Sequence, residues 1–194
     1  VIADFHRDPL ITTLPALYEA FDRGAYLSKL ERRLEQHSQH TNITLLLPSL
    51  FSELQNGGVL QNILDQIKEV GYLTNVVVAL GGAPEEEQFR EAQAYFAQLE
   101  APGRDVRVVW IDGPRVQGLL EEMAEREIAT GEKGKGQSVW ISLGYLFARD
   151  ATDVIALHDC DIVTYDRLLL GRLIEPVANA NNDFQFCKGY YARI

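Results

Sequence analysis

Four short runs, apolar almost throughout, decide what this chain can fold into: Ile43 to Leu47 (ITLLL), Val76 to Leu80 (VVVAL), Val106 to Ile111 (VRVVWI) and Asp153 to His158 (DVIALH). A strand with one face in water alternates apolar and polar residues, whereas a strand covered on both faces has no reason to. Strands of the second kind belong mostly to parallel sheets sandwiched between helices. Helical spacing fills the intervals here. Val59, Leu60, Ile63, Leu64, Ile67 and Val70 keep a helical period up to Gly71, a plausible stop. Pro84 opens a further helix with Glu85, Glu86 and Glu87 in its first turn, where carboxylates favour the positive end of the dipole, and with Phe89, Ala92, Phe96 and Leu99 on its apolar face. Val116, Leu119, Leu120 and Met123 mark the next helix, Gly131 to Gly136 a loop, and Trp140, Leu143 and Phe147 a last helix before DVIALH. The rhythm predicts an α/β domain with a mostly parallel, Rossmann-like sheet and helices on both faces. Pro48 is expected to end the first strand and Gly81-Gly82 the second.

Ahead of the first strand, Leu14, Leu17 and Phe21 and then Leu27, Leu30 and Leu34 recur at helical spacing, as two short amphipathic helices or one broken at Gly24. We expect residues 1–42 to be a helical segment packing on a domain formed by residues 43–194. The 194 residues suit one domain of this kind.

Charge and cysteine usage exclude several function classes. With 18 Lys and Arg against 28 Asp and Glu, the net charge of −10 repels a polyanion, so nucleic acid is not an expected partner. Cys160 and Cys187 form neither a CxxC nor a zinc spacing. No apolar run reaches membrane-spanning length and the first ten residues lack the pattern of a signal peptide, so the expected compartment is the cytoplasm. Gly-x-Ser-x-Gly and Gly-x-Gly-x-x-Gly are both absent, which removes the main signals of a serine hydrolase and a dinucleotide oxidoreductase.

The chemistry concentrates at strand ends. Asp159-Cys160-Asp161 follows the fourth apolar run directly, and carboxylates at i and i+2 on an extended segment face the same way, towards one divalent cation and the phosphates it carries. Ligands of open α/β sheets gather outside the carboxyl ends of strands, which is where this pair sits. The alternative is a solvated turn. Gly131 to Gly136 is glycine-rich and carries Lys133 and Lys135, suited to approach phosphate or, equally, to be a solvated loop; it is not a P-loop, because Gly136 follows Lys135 where Ser or Thr is required. Ser49, Ser52 and Glu53 follow the first strand as hydrogen-bonding groups for a base or ribose; the alternative is a strand-to-helix turn capped by Ser49 or Ser52. Phe186 to Arg193 combines aromatic surface with two cations, as an anion contact or a packed edge strand. His158 borders the acidic pair, though a lone strand-end His is more often structural, and His6, His37 and His40 receive no role.

Taken in order, LLLPSLFSEL at 45–54, VVVALGG at 76–82, GKGQSVW at 134–140, VIALHDCDIVTYD at 154–166 and FCKGYYARI at 186–194 resemble the glucosyl-3-phosphoglycerate synthase family of retaining glycosyltransferases. The resemblance implies a GT-A-like fold and a nucleotide-sugar site formed by Pro48, Ser49, Leu50, Glu53, Gly81, Lys135, Asp159, Cys160 and Asp161. Within it, Asp159 would touch the ribose, Asp161 would ligate Mg²⁺ or Mn²⁺ with Asp159 beside it, and Lys135 would act near the diphosphate, making Asp161 and Lys135 the expected catalytic pair. Lys188, Tyr191 and Arg193 echo the family's acceptor segment, although Ala192 departs from it. The implied donor is a UDP- or GDP-hexose and the implied acceptor a small anion such as glycerate or phosphoglycerate. A homodimer is a candidate assembly. The family continues beyond this segment and supplies a further metal ligand, a His, so the domain is expected to be cut short on its C-terminal side. Two rival readings stand beside it: a nucleotide-sugar-binding or regulatory module that transfers nothing, and a sugar-phosphate nucleotidyltransferase.

Overall fold

Residues 22–55, 58–182 and 184–189 are described by a computed structural model. Its centre is a sheet of four parallel strands, β1 (Ile43–Leu50), β2 (Asn75–Gly81), β3 (Asp105–Trp110) and β4 (Val154–Leu157), in the order β3-β2-β1-β4. Around it lie α1 (Arg23–His37), α2 (Phe51–Gln55), α3 (Gly58–Lys68), α4 (Glu86–Phe96), α5 (Pro114–Glu125), α6 (Lys135–Arg149) and α7 (Arg167–Ala178). The expected α/β class, parallel sheet and two helical layers are all present.

The apolar runs show why two layers are needed. Leu45, Leu47, Val76, Val78 and Leu80 enter one core with Leu30 and Leu34 of α1, Ile63 and Ile67 of α3, Phe96 of α4 and Ile174 of α7. Leu46, Val77 and Ala79, the alternate positions, enter a second core with Ile141 and Leu146 of α6. Residues one apart on a strand face opposite ways, so a run without polar interruption demands cover on both sides. Each fully buried Leu or Ile is worth about 2 kcal/mol relative to exposure. At the α1–α7 crossing Gly171 lets the helices meet closely, since a Cβ there would stand 2.9 Å from Cδ2 of Leu30.

Several local expectations need correction. Pro48 does not end β1, which runs to Leu50 with Pro48 opposite Ala79 of β2. Ile43 accepts from Thr74 on the β2 side, whereas Leu46 accepts from His158 on the β4 side. Even-numbered β1 residues therefore point their backbone groups at β4, whose last pairing is Leu46 with Leu157. The missing N–H of Pro48 faces a place where, among the described residues, no strand remains to accept it. Gly24 does not break a helix; it lies in the first turn of α1, behind Asp22, whose carboxylate accepts from the Ala25 N–H at 2.9 Å. Pro84 precedes α4 rather than opening it, with Glu85 at the cap. The glycine-rich loop is shorter than expected because α6 already begins at Lys135. Leu14, Leu17 and Phe21 lie outside the described residues. Phe186 to Gly189 form no strand. Unexpected was α7, although Leu168, Leu170, Ile174 and Ala178 are buried along it and Asp166 caps it. No helix among the described residues is long and apolar enough to cross a membrane.

Candidate functional site

From β1 the chain moves outward through β2 to β3, then returns past β1 to lay β4 on the other side. Right-handed crossovers made in opposite directions put their helices on opposite faces, so α3 and α4 cover one face and α6 the other. Between β1 and β4 the direction reverses, and a crevice opens at their carboxyl ends. β4 separates from β1 after Leu157, while β1 continues along β2 to the pair Leu50 and Gly81. Ser49, Leu50 and Glu53 border that opening from β1, and Asp159 to Asp161 border it from β4.

Asp159-Cys160-Asp161 lies in a turn rather than in extended strand, yet the alternation expected of it survives: Cys160 is buried, Asp159 half-exposed and Asp161 exposed. Burial pushes the Cys160 thiol up to about 12, with Glu53 adding to the rise against a hydrogen bond from Ser49. It is a protonated anchor. His158 is likewise withheld from the crevice: its backbone N–H donates to Leu46 O at 3.2 Å, its ring stands edge-on to Tyr165 at 5.5 Å, and burial lowers its pKa to about 4 against the pull of Asp159. The ring is neutral at pH 7.

Across the opening, Glu53 holds the turn out of β1. One of its carboxylate oxygens, Oε2, accepts from the Ser49 hydroxyl at 2.8 Å and from the Leu50 N–H at 2.9 Å, serving the first turn of α2 as a cap. The capping role expected of Ser49 or Ser52 thus falls to Glu53. Leu50 remains 54% exposed beside Gly81 and Gly82. Gly82 has φ of +69°, a backbone conformation that favours glycine.

The loop before α6 bridges the ends of the two outer strands. Lys135, the first residue of α6, sets its ammonium on the Asp159 carboxylate beyond β4. Lys133 reaches Asp112 beyond β3, Nζ to Oδ1 at 2.7 Å. Asp112 is the residue the sequence reading missed, although an acid follows the third apolar run much as Asp159 follows the fourth. Its side chain is only 8% exposed, and the Ala83 N–H donates to Oδ2 at 3.0 Å. Burial alone would raise its pKa; the Lys133 ammonium and the N–H groups of Ala83 and Gly82 outweigh that and hold it below the usual carboxylate value. Trp110 completes this corner, donating from Nε1 to Ala83 O at 2.6 Å and stacking on Phe89 at 4.8 Å. Of the acceptor candidates, Lys188 is exposed in irregular chain, while Tyr191 and Arg193 lie outside the described residues.

Asp159 and Asp161 are the two carboxylates just beyond the end of β4. Among the described residues no group of three or more His, Cys, Asp or Glu side chains could hold a metal ion. Two hard oxygen donors suit Mg²⁺ or Mn²⁺, which commonly take one or two carboxylates and complete their shell with substrate phosphate and water. The donor set fits such an ion.

No protein-family model matches the chain. The glucosyl-3-phosphoglycerate synthase of Persephonella marina is 42% identical over 193 residues, which span 100% of this chain and 45% of that protein. That of Methanococcoides burtonii is 38% identical over 167 residues, 86% of this chain and 40% of that protein. Among solved structures, the Mycobacterium tuberculosis glucosyl-3-phosphoglycerate synthase in complex with Mn²⁺, UDP and glucosyl-3-phosphoglycerate overlaps 77% of this chain and 44% of its own at 20% identity, with a TM-score of 0.46. The chain spans less than half the length of the curated relatives it matches. Along its whole length, then, this chain is a relative of glucosyl-3-phosphoglycerate synthases, and the resemblance carried by its strand-end motifs is borne out.

Proposed function

We propose that this chain is the nucleotide-sugar-binding part of a retaining hexosyltransferase of the GT-A fold, taking a UDP- or GDP-hexose and acting in the cytoplasm on glycerate, phosphoglycerate or a similar small anion. One observation carries the reading: Asp159 and Asp161 stand at the carboxyl end of β4, at the reversal of strand order, with the Lys135 ammonium already in place on Asp159. The curated relatives, both named glucosyl-3-phosphoglycerate synthase, support glucosyl transfer to phosphoglycerate.

In this reading Pro48, Ser49 and Leu50 with Gly81 border the nucleoside. The exposed Leu50 side chain offers an apolar surface to a base, and Glu53 keeps the turn in shape behind it. Lys135 exchanges the Asp159 carboxylate for diphosphate oxygens, and its charge, held by the start of α6, opposes the negative charge that gathers on the leaving group. A divalent cation held by Asp161, with Asp159 beside it, would neutralise the diphosphate as it departs. Cys160 is the thiol at the site, and its burial and raised pKa make it a support rather than a nucleophile. Lys188, Tyr191 and Arg193 are the proposed acceptor contacts.

Calorimetry with UDP-glucose, GDP-glucose and GDP-mannose, each in Mn²⁺ and in EDTA, tests the reading. Binding should require the ion, Asp161→Ala should abolish the ion's contribution, and Asp159→Ala should weaken nucleotide with a smaller effect on metal. Equal affinity in Mn²⁺ and EDTA would defeat it.

A further inference from the structure

We propose that Asp112 is a positioning residue: its buried carboxylate clasps the turn after β2 to the loop of residues 131–136 and so fixes where Lys135 stands over the crevice. The inference rests on the nucleotide-sugar reading of that crevice.

Each carboxylate oxygen of Asp112 has its own partner. Oδ2 accepts from Ala83 at 3.0 Å, and Oδ1 receives Lys133 at 2.7 Å. Ala83 is fully buried, and its carbonyl is taken by Trp110 Nε1 at 2.6 Å, so side chains from the end of β3 hold both polar groups of this residue. The turn Gly81-Gly82-Ala83, one wall of the proposed nucleoside slot, is thereby fixed. Through its other oxygen the same carboxylate fixes the loop.

Strand order makes that second bond consequential. Residues 133 and 135 have Cα atoms no more than about 7 Å apart. Their ammonium groups nevertheless reach acids beyond β3 and beyond β4, the outer strands of the sheet. Four strands place the outer two roughly 14 Å apart. The loop therefore arches across the ends of β2 and β1, tied at both feet. Released at Asp112, the loop loses its β3 foot and leaves Lys135 to the first turn of α6 and to Asp159, the partner a diphosphate must displace. An exposed helical pair such as Arg90 and Glu86, with side chains 73% and 65% exposed, ties nothing of this kind. The Asp112 carboxylate is shielded, although Lys133 is exposed, and its partners come from two separate segments.

Asp112→Asn tests the clasp without deleting the side chain, since an amide oxygen still accepts from Ala83 while the attraction for Lys133 is lost. Lys133→Met reaches the same end from the other side and leaves Ala83 untouched. Circular dichroism should show both variants folded. Trypsin cleavage after Lys135, followed by mass spectrometry against cleavage after Arg126 in the same sample, should accelerate about tenfold in both. Affinity for UDP with Mn²⁺ should fall about tenfold in both while affinity for uridine stays within twofold. The Asp112→Asn result discriminates most sharply: removing a negative charge near a polyanion site strengthens binding by simple electrostatics, so a loss can come only from misplacement. Unchanged cleavage, or UDP binding that is equal or tighter in Asp112→Asn, overturns the proposal. Absence of UDP binding by the wild-type chain overturns the nucleotide reading and the positioning role together, and the cleavage rates still decide whether the clasp exists.

Discussion

Gly113→Ala is the single substitution whose effect the structure defines best. A Cβ at this position would stand 2.5, 2.6 and 2.8 Å from Cδ2, Cε3 and Cγ of Trp110. The indole cannot yield cheaply, because it is held at Nε1 by Ala83 O at 2.6 Å and at its face by Phe89, 4.8 Å away and within 5° of parallel. Turning it aside costs a hydrogen bond, about 1 kcal/mol, and an aromatic stack, about 1 kcal/mol. Whatever overlap remains adds about 1–2 kcal/mol of overpacking. Gly113 is also the cap of α5, where alanine is poorer than glycine by some tenths of a kcal/mol. The total comes to about 3–5 kcal/mol. Urea unfolding followed by far-ultraviolet circular dichroism, with the denaturant slope checked against wild type, measures it. Near-ultraviolet dichroism in a Trp140→Phe background isolates Trp110. The turn that Trp110 holds borders the proposed nucleoside slot, so uridine affinity should fall together with stability. A loss below 1 kcal/mol with an unchanged aromatic spectrum would refute the reasoning, since it would mean that the ring moves freely.

Lys135→Ala should weaken UDP much more than uridine, measured side by side by calorimetry; equal losses would reduce the loop to solvated surface. The buried, neutral His158 predicts an acid-sensitive fold. Unfolded chain protonates this ring below pH 6.5, whereas folded chain resists down to about 4, so the unfolded state binds the extra proton and stability drops as pH falls through that window, by up to about 3 kcal/mol. Urea midpoints at pH 7 and pH 5 in EDTA should show the drop in wild type and its near-disappearance in His158→Phe. Parallel pH dependence in the two would rule the histidine out as the cause.

The sheet was legible because its signal is redundant: each apolar run independently required cover on two faces, and each interval carried helical spacing. Pro48 misled, since a rule about missing donors was applied without knowing which side of β1 would lack a neighbour. The turn conformation of Asp159 to Asp161 could not be read either, because β4 parts from β1 after Leu157 although β1 runs on to Leu50, and no strand-breaking residue marks the parting. Asp112 escaped notice for a related reason. Its importance lies in Ala83 and Lys133, which stand 29 residues before it and 21 after it, and no local pattern announces a carboxylate that joins distant segments. The helix α7 was the avoidable omission, with a cap at Asp166 and apolar spacing in plain view.

The short pairing of β4 with β1 has a kinetic meaning. Ile43 and Val154 meet although they stand 111 positions apart in the chain, and closing a loop of that length costs about 4 kcal/mol in chain entropy before any pairing compensates. β2 joins β1 and β3 joins β2 over much shorter spans, so contact order favours pairing of these three strands before β4, while the Asp159 turn has no fixed address. Four residues of β4 must then find register on a sheet already built. The proposed nucleotide site is therefore expected to form last as the chain folds and to be lost first, at β4, when the fold begins to open.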